Sequence, residues 1–248
     1  MISGRRLLVT VLFLVCVGSA GTALAQGASS TTRFAAGFSR VTTTHSLDVP
    51  DSQLATPIHE WTLRANAGDA HAAALLATAL MGCTARKSMP NPAIWMAHCD
   101  GVTDEQLSQA AHWMDVAAQE GDKDAQYAYS AGSSDVVVGV QGAQNNPVAF
   151  AAFKAKSQNY LLTLAQECNY DAIATIASNG ADDGLIFGDD PATAYKFARV
   201  QALLESPSTK VQSNSAMYVA KLKRRLDAAK IAAPSDTEVT AFADHYCR

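Results

Sequence analysis

Apolar side chains recur at spacings of three and four residues along most of the chain after residue 55, a period typical of amphipathic α-helices. Ile58, Trp61 and Ala65 form the first such series, and Trp113 with Ala117 belongs to a later one. Glycines close several of these segments and short polar side chains open the next, as helix ends and N-caps require. The pattern predicts an all-α fold of antiparallel helix hairpins over residues 56–248.

Short polar residues and glycines mark where the predicted helices begin and end. Gly82 is expected to stop the second helix, as glycine commonly does at a helix C-terminus. Capping boxes, in which a Ser or Thr pairs with a Glu or Gln three residues later, are expected to open two helices. The predicted caps are Thr56, Asp69, Asp122, Asn146 and Asp190, with capping boxes at Thr103–Gln106 and Ser235–Glu238.

The first 25 residues have the pattern of a secretory signal peptide. Arg5 and Arg6 precede an apolar run over residues 7–17, and Ala23-Leu24-Ala25 predicts cleavage before Gln26. As a helix this run rises about 16 Å, roughly half of a bilayer core, so a membrane anchor is the less favoured interpretation. The sequence predicts export, a periplasmic or secreted location, and no integral membrane segment after signal cleavage.

Residues 26–55 are rich in Ser, Thr, Ala and Gly and have no sustained hydrophobic period, which predicts a flexible N-terminal arm. The helical domain is expected to begin at residue 56. Removal of residues 1–25 takes away two arginines and no acid, so the net charge falls from −4 to −6. Nucleic acid is therefore not an expected partner, because it requires a basic face.

Three segments of the chain repeat one local pattern. Residues 64–72 read RANAGDAHA, residues 117–125 read AAQEGDKDA, and residues 164–172 read LAQECNYDA. Small residues let two helices approach closely, glycine permits a left-handed helix end, and Asp or Asn caps the next helix. Each copy therefore predicts the tight turn of a helix hairpin.

Residues 113–126, which read WMDVAAQEGDKDAQ, resemble the core of Sel1-like repeats, a family related to the tetratricopeptide helix hairpins. The resemblance extends over about residues 56–205 and implies a right-handed solenoid of hairpins. The three copies lie 53 and then 47 positions apart, farther than the repeats of that family. The segments 83–102 and 133–146 are therefore expected to be insertions, which solenoids often use as a binding face.

Four cysteines remain after the predicted cleavage, and in an oxidising compartment they indicate disulfides with three possible pairings. We predict Cys83–Cys99, which closes the first insertion, and Cys168–Cys247, which ties the last helix to the third repeat. Cys83 directly follows the expected helix stop at Gly82. The alternative is that all four stay reduced as small core residues.

Catalytic, cofactor and metal sites are not predicted. The resemblance raises serine chemistry on penicillins, which requires Ser-x-x-Lys, and no lysine has a serine three positions before it. His59-Glu60 begins a zinc-protease pattern, but Leu63 stands where the second histidine is required. Zinc bound by cysteines requires clustered ligands such as Cys-x-x-Cys, which the chain lacks.

The three tryptophans are expected to lie in two different environments. Trp61 and Trp113 fall on repeat helices and are expected to fill space between hairpins. Trp95 and Met96 lie in the first insertion, where apolar residues either pack inward under a disulfide or form a partner-binding tip.

The sequence favours a helical-repeat interaction module that is not an enzyme and binds a protein, a peptide or a cell-envelope partner. The alternatives are a hydrolase-type enzyme with a site built from inter-repeat loops, or a structural envelope component without a defined ligand.

Overall fold

The computed structural model describes residues 30–33, 39–42, 49, 53–92, 96–131, 146–180, 184–205 and 209–248. Helices dominate these residues, as the predicted all-α fold requires. The helices are α1 Ala55–Asn66, α2 Ala70–Lys87, a 3-10 turn Met96–Cys99, α3 Asp104–Ser108, α4 Ala110–Gln119, α5 Lys123–Ala131, α6 Pro147–Gln166, α7 Tyr170–Asn179, α8 Pro191–Leu204, α9 Thr209–Ala229 and α10 Asp236–Tyr246. Within the described ranges, no helix is both long and apolar enough to cross a bilayer. The predicted signal peptide, residues 1–25, lies outside them.

The three copies of the repeated pattern form the same turn. Gly68, Gly121 and Cys168 have φ angles of 89°, 93° and 58°, so each ends a helix in the left-handed region. The next amide in each copy donates back to a carbonyl five residues earlier, at 3.1 Å in the first copy and 3.0 Å in the other two. This is the Schellman arrangement, and it satisfies carbonyls that the helix end leaves free.

The residue after each left-handed position caps the next helix. The side chains of Asp69, Asp122 and Asn169 accept backbone N–H groups three residues later, at 2.9, 2.8 and 2.9 Å. The donors are the alanines at positions 72, 125 and 172, and all three are completely buried. The predicted turns are thereby confirmed, and each places an alanine of its second helix in the core.

The helices form a row in which each packs against its neighbours along the chain. Helix α2 lies against α1 and α4, α5 against α4 and α6, and α7 against α6 and α8. Polar contacts join alternate members of the row. His71 Nδ1 lies 3.3 Å from Asp122 Oδ2, and the hydroxyls of Tyr127 and Thr175 are 3.2 Å apart. The described part of the chain is thus a row of helix hairpins with one continuous core.

Trp61 and Trp113 lie in that core, as predicted. The caps at Asn146 and Asp190 and both predicted capping boxes are also present. The cap predicted at Thr56 is wrong, because α1 begins at Ala55 and its N-cap, Leu54, makes no side-chain cap hydrogen bond. Leu54 is instead buried in the core, and its apolar contacts hold this end of the helix.

The helix stop predicted at Gly82 is also wrong, because α2 continues through this residue to Lys87. Gly82 has no positive φ angle, and a Cβ atom built there meets nothing within 4 Å. Cys83 therefore lies inside the helix and faces the core.

The predicted flexible arm contains two short strands, β1 (Ser30–Arg33) and β2 (Ser39–Thr42), which pair antiparallel. The Val41 N–H donates to the Cys168 carbonyl at 3.0 Å, so β2 lies against the turn between α6 and α7. The two strands read STTR and SRVT, and with Val41 as their one apolar residue they offer no alternating pattern that the sequence could reveal. The hairpin is an addition that sequence reasoning missed.

Substitution of the two glycines is expected to give different results. Gly121→Val should lower the free energy of unfolding by about 1–2 kcal/mol, since a branched side chain strains the left-handed conformation. Gly82→Ala is the matched control and should be neutral or stabilise by up to about 1 kcal/mol, because alanine favours a helix interior. Urea denaturation measures both, and equal effects would contradict the different roles assigned to the two glycines.

Candidate functional site

The four predicted cysteines lie in two pairs at disulfide distance. The sulfur atoms are 1.97 Å apart in Cys83–Cys99 and 2.03 Å apart in Cys168–Cys247. All four residues are buried. The first pair joins α2 to the 3-10 turn at the base of the first insertion, and the second joins the α6–α7 turn to the end of α10.

Of the two predicted partner-binding residues, Trp95 and Met96, the structure describes Met96. Met96 is half-buried and packs against the core beside the first disulfide. Trp95 lies outside the described residues. Met89, which precedes Trp95 and Met96 in the chain, is exposed over 43% of its surface. The structure thus supports inward packing for Met96.

A cleft of about 730 Å³ lies between α6, α8 and α10. Helix α8 is opened by Asp190, which caps it ahead of Pro191, and α10 is opened by the Ser235–Glu238 capping box. The Cys168–Cys247 pair fixes the far end of α10 to the turn that follows α6. The residues that give the cleft its chemistry are Leu162, Lys196, Phe197, Glu238, Phe242 and Tyr246.

Aromatic side chains form the floor of this cleft. The Phe197 and Phe242 rings meet edge to face with centroids 5.3 Å apart, and Tyr246 lies 4.8 Å from Phe242. His245 meets the Tyr246 ring at right angles, with centroids 4.5 Å apart. Phe197 is buried, whereas Phe242 and Tyr246 are half-buried. Leu162, 39% exposed, faces the same space. The cleft therefore offers apolar surface within reach of a ligand.

The charged residues of the cleft have different surroundings. Lys196 Nζ lies 5.2 Å from the centroid of the Phe242 ring and 5.9 Å from that of Phe197. Glu238 accepts the Ser235 N–H at 2.7 Å and the Ser235 hydroxyl at 2.9 Å. These hydrogen bonds, with a smaller contribution from the Lys196 charge, hold the pKa of Glu238 below its usual value. Glu238 is thus negatively charged, and its carboxylate is hydrogen-bonded to Ser235, the N-cap of α10.

Two of the described residues that line the cleft, Thr193 and Tyr246, carry a hydroxyl group. Among the described residues that line the cleft, neither the Thr193 nor the Tyr246 hydroxyl is hydrogen-bonded to a carboxylate or an imidazole. An activated nucleophile requires such a partner. No group of three or more His, Cys, Asp or Glu side chains that could hold a metal occurs in the part of the chain that the structure describes.

Comparisons with protein-family models, curated proteins and solved structures found no match to this chain. Sequence reasoning placed Phe197, Phe242 and Tyr246 on helices but missed their convergence. The available signal was the pair Phe242 and Tyr246, which lie one helical turn apart on a short terminal helix and so share one face.

Proposed function

We propose that the chain is a Sel1-like helical-repeat protein of the periplasm or the extracellular space, and that it binds a protein or peptide partner in the cleft between α6, α8 and α10. The observation that carries this proposal is the half-buried aromatic floor, with Lys196 over it and polar side chains around it. Binding sites commonly combine apolar surface with a few placed polar groups. Catalysis is not part of the proposal.

The turn geometry supports the family assignment. Three copies of the pattern share a left-handed helix end, a short polar cap and a buried alanine. A right-handed solenoid would continue this arrangement from one hairpin to the next, and α10 would close its C-terminal end. Two buried cysteine pairs suit an oxidising compartment, which is the reason for proposing an exported protein.

Site-specific photocrosslinking in the producing cells tests the proposed binding site. Benzoylphenylalanine placed at Ala241, which lines the cleft, should give covalent adducts with a partner protein or peptide. The same probe at Met217, which is 63% exposed on α9 and outside the cleft, is the control. Phe242→Ala should reduce the adducts formed at position 241, since it removes half-buried aromatic surface.

Adducts from both positions in equal amount would indicate nonspecific collision, and their absence at position 241 would contradict a partner in the cleft. Fractionation of the same cells tests the location, because the proposal requires the chain outside the cytoplasm.

A further inference from the structure

Lys196 brings a positive charge into an apolar part of the cleft. Its ammonium lies over two aromatic rings, and Lys196 belongs to none of the ion pairs found among the described residues. We propose that the cleft recognises an extended peptide segment in which an acidic side chain binds Lys196 and an apolar side chain two positions away packs on Tyr246 and Leu162. This inference rests on the proposed function and names the chemistry of its partner.

The neighbouring residues explain why Lys196 is available to an incoming acid. Glu238 affects Lys196 through its charge, and its Oε2 accepts hydrogen bonds from the Ser235 N–H and hydroxyl at the start of α10. A basic side chain placed over the Phe197 and Phe242 rings would meet the like charge of the Lys196 ammonium. A carboxylate adds an ion pair in a partly desolvated position, where such a contact is stronger than on an open surface.

The position of Lys196 along the cleft favours an internal side chain over a chain terminus. The cleft residues of α10 run from Glu238 to Tyr246, a rise of about 12 Å, which equals roughly four residues of extended peptide. Lys196 lies beside Phe242, at the middle of that length. A peptide ending at Lys196 would fill half of the cleft, whereas an internal acidic residue lets the segment occupy both halves.

The spacing between the two contacts sets the sequence pattern. Phe242 and Tyr246 are separated by one helical turn, a rise of about 6 Å. Alternate residues of an extended peptide are about 6.6 Å apart and point to the same side. An acid at Lys196 therefore places the side chain two positions away beside Tyr246, in the cleft that Leu162 also lines. The structure points to an acid–x–apolar segment.

A library of short acetylated and amidated peptides tests this pattern against the full-length exported protein. Each peptide carries Asp, Glu, Asn, Gln, Lys or Arg two positions from a varied apolar residue, with all other positions randomised. The wild-type protein should select Asp or Glu, and Lys196→Gln should weaken binding of the selected peptides about tenfold. Lys196→Glu should transfer the preference to Lys or Arg. Thermal melts of both variants should match the parent.

Lys154→Gln is the matched control, because Lys154 lies 6.0 Å from the Phe150 ring but outside the cleft. It should leave the selected peptides and their affinities unchanged. Selection without acid enrichment, or equal losses in both glutamine variants, would each overturn the inference. So would failure to select any peptide. Specific adducts from position 241 would still leave the proposed function standing in those cases.

Discussion

Replacing both Cys168 and Cys247 with serine is expected to lower the free energy of unfolding by about 4–5 kcal/mol in the chain-entropy model. The two residues are 79 positions apart, so their bond restricts a long loop of the unfolded chain. Helix α10 should also loosen, because α8 is the helix against which it mainly packs. Since α10 forms one wall of the cleft, partner binding should be lost with it.

Cys83 and Cys99 provide the control within the same chain. Their separation of 16 residues predicts a smaller loss of about 3 kcal/mol when both become serine. That variant should leave hydrogen exchange in α10 unchanged, whereas the Cys168/Cys247 variant should accelerate it. Non-reducing peptide mapping comes first. A Cys83 peptide joined to Cys168 or Cys247, or four alkylatable thiols, would contradict both pairings.

The hairpin turns were predictable because their cause is local. A left-handed helix end and an N-cap depend on two adjacent residues. In the second copy Gly121 predicts the first feature and Asp122 the second. The third copy has Cys168 and Asn169 instead, and it adopts the same turn with a φ of 58° at a non-glycine residue. Contacts with distant parts of the chain hold this third turn. The Val41 N–H donates to the Cys168 carbonyl, and the Cys168 sulfur is paired with that of Cys247.

Gly82 shows that a local pattern can also predict a helix end that the structure does not have. Glycine permits a helix end but does not require one, and packing of α2 against α4 continues the helix past it. The pairing predicted for Cys83 agrees with the structure although the helix stop that motivated it was wrong. The correct physical reason is that Cys83 faces the core from inside α2, towards the segment that carries Cys99.

The cleft depends on distances that no local pattern encodes. Leu162, Lys196 and Phe242 lie on three helices that are separated by long stretches of sequence, so no single helix shows that they meet. Their convergence follows from the position of α10, which the second cysteine pair and the Arg199–Asp236 ion pair at 2.9 Å hold against its neighbours. Sequence reasoning predicted the tie at Cys247 but not the surface that the tie creates.

Tyr129 gives the fold a predictable sensitivity to alkaline pH. Burial raises the pKa of Tyr129 far above its usual value of 10.0, and the negative charge of Asp115 and the neighbouring Tyr160 raise it further. The ring is held between Phe153 and Tyr160, with centroids 5.3 and 5.7 Å away. The folded protein therefore keeps the phenol proton at a pH where the unfolded chain releases it. The contribution of Tyr129 to the free energy of unfolding is fully present below pH 10 and falls as the pH rises above it.

The free energy of unfolding should thus decrease by about 1.4 kcal/mol for each pH unit above 10 on account of Tyr129 alone. Tyr129→Phe removes the titrating group but keeps the ring. Between pH 10 and 11.5 its free energy of unfolding should therefore fall less steeply with pH than that of the parent, by about 1.4 kcal/mol for each pH unit. A smaller slope should remain, because burial also raises the pKa of Tyr127 and Tyr160. Urea denaturation across pH 8 to 11.5 measures both proteins, and the curves should run parallel below pH 9.5. Parallel curves over the whole range would show that Tyr129 ionises as easily in the folded protein as in the unfolded chain.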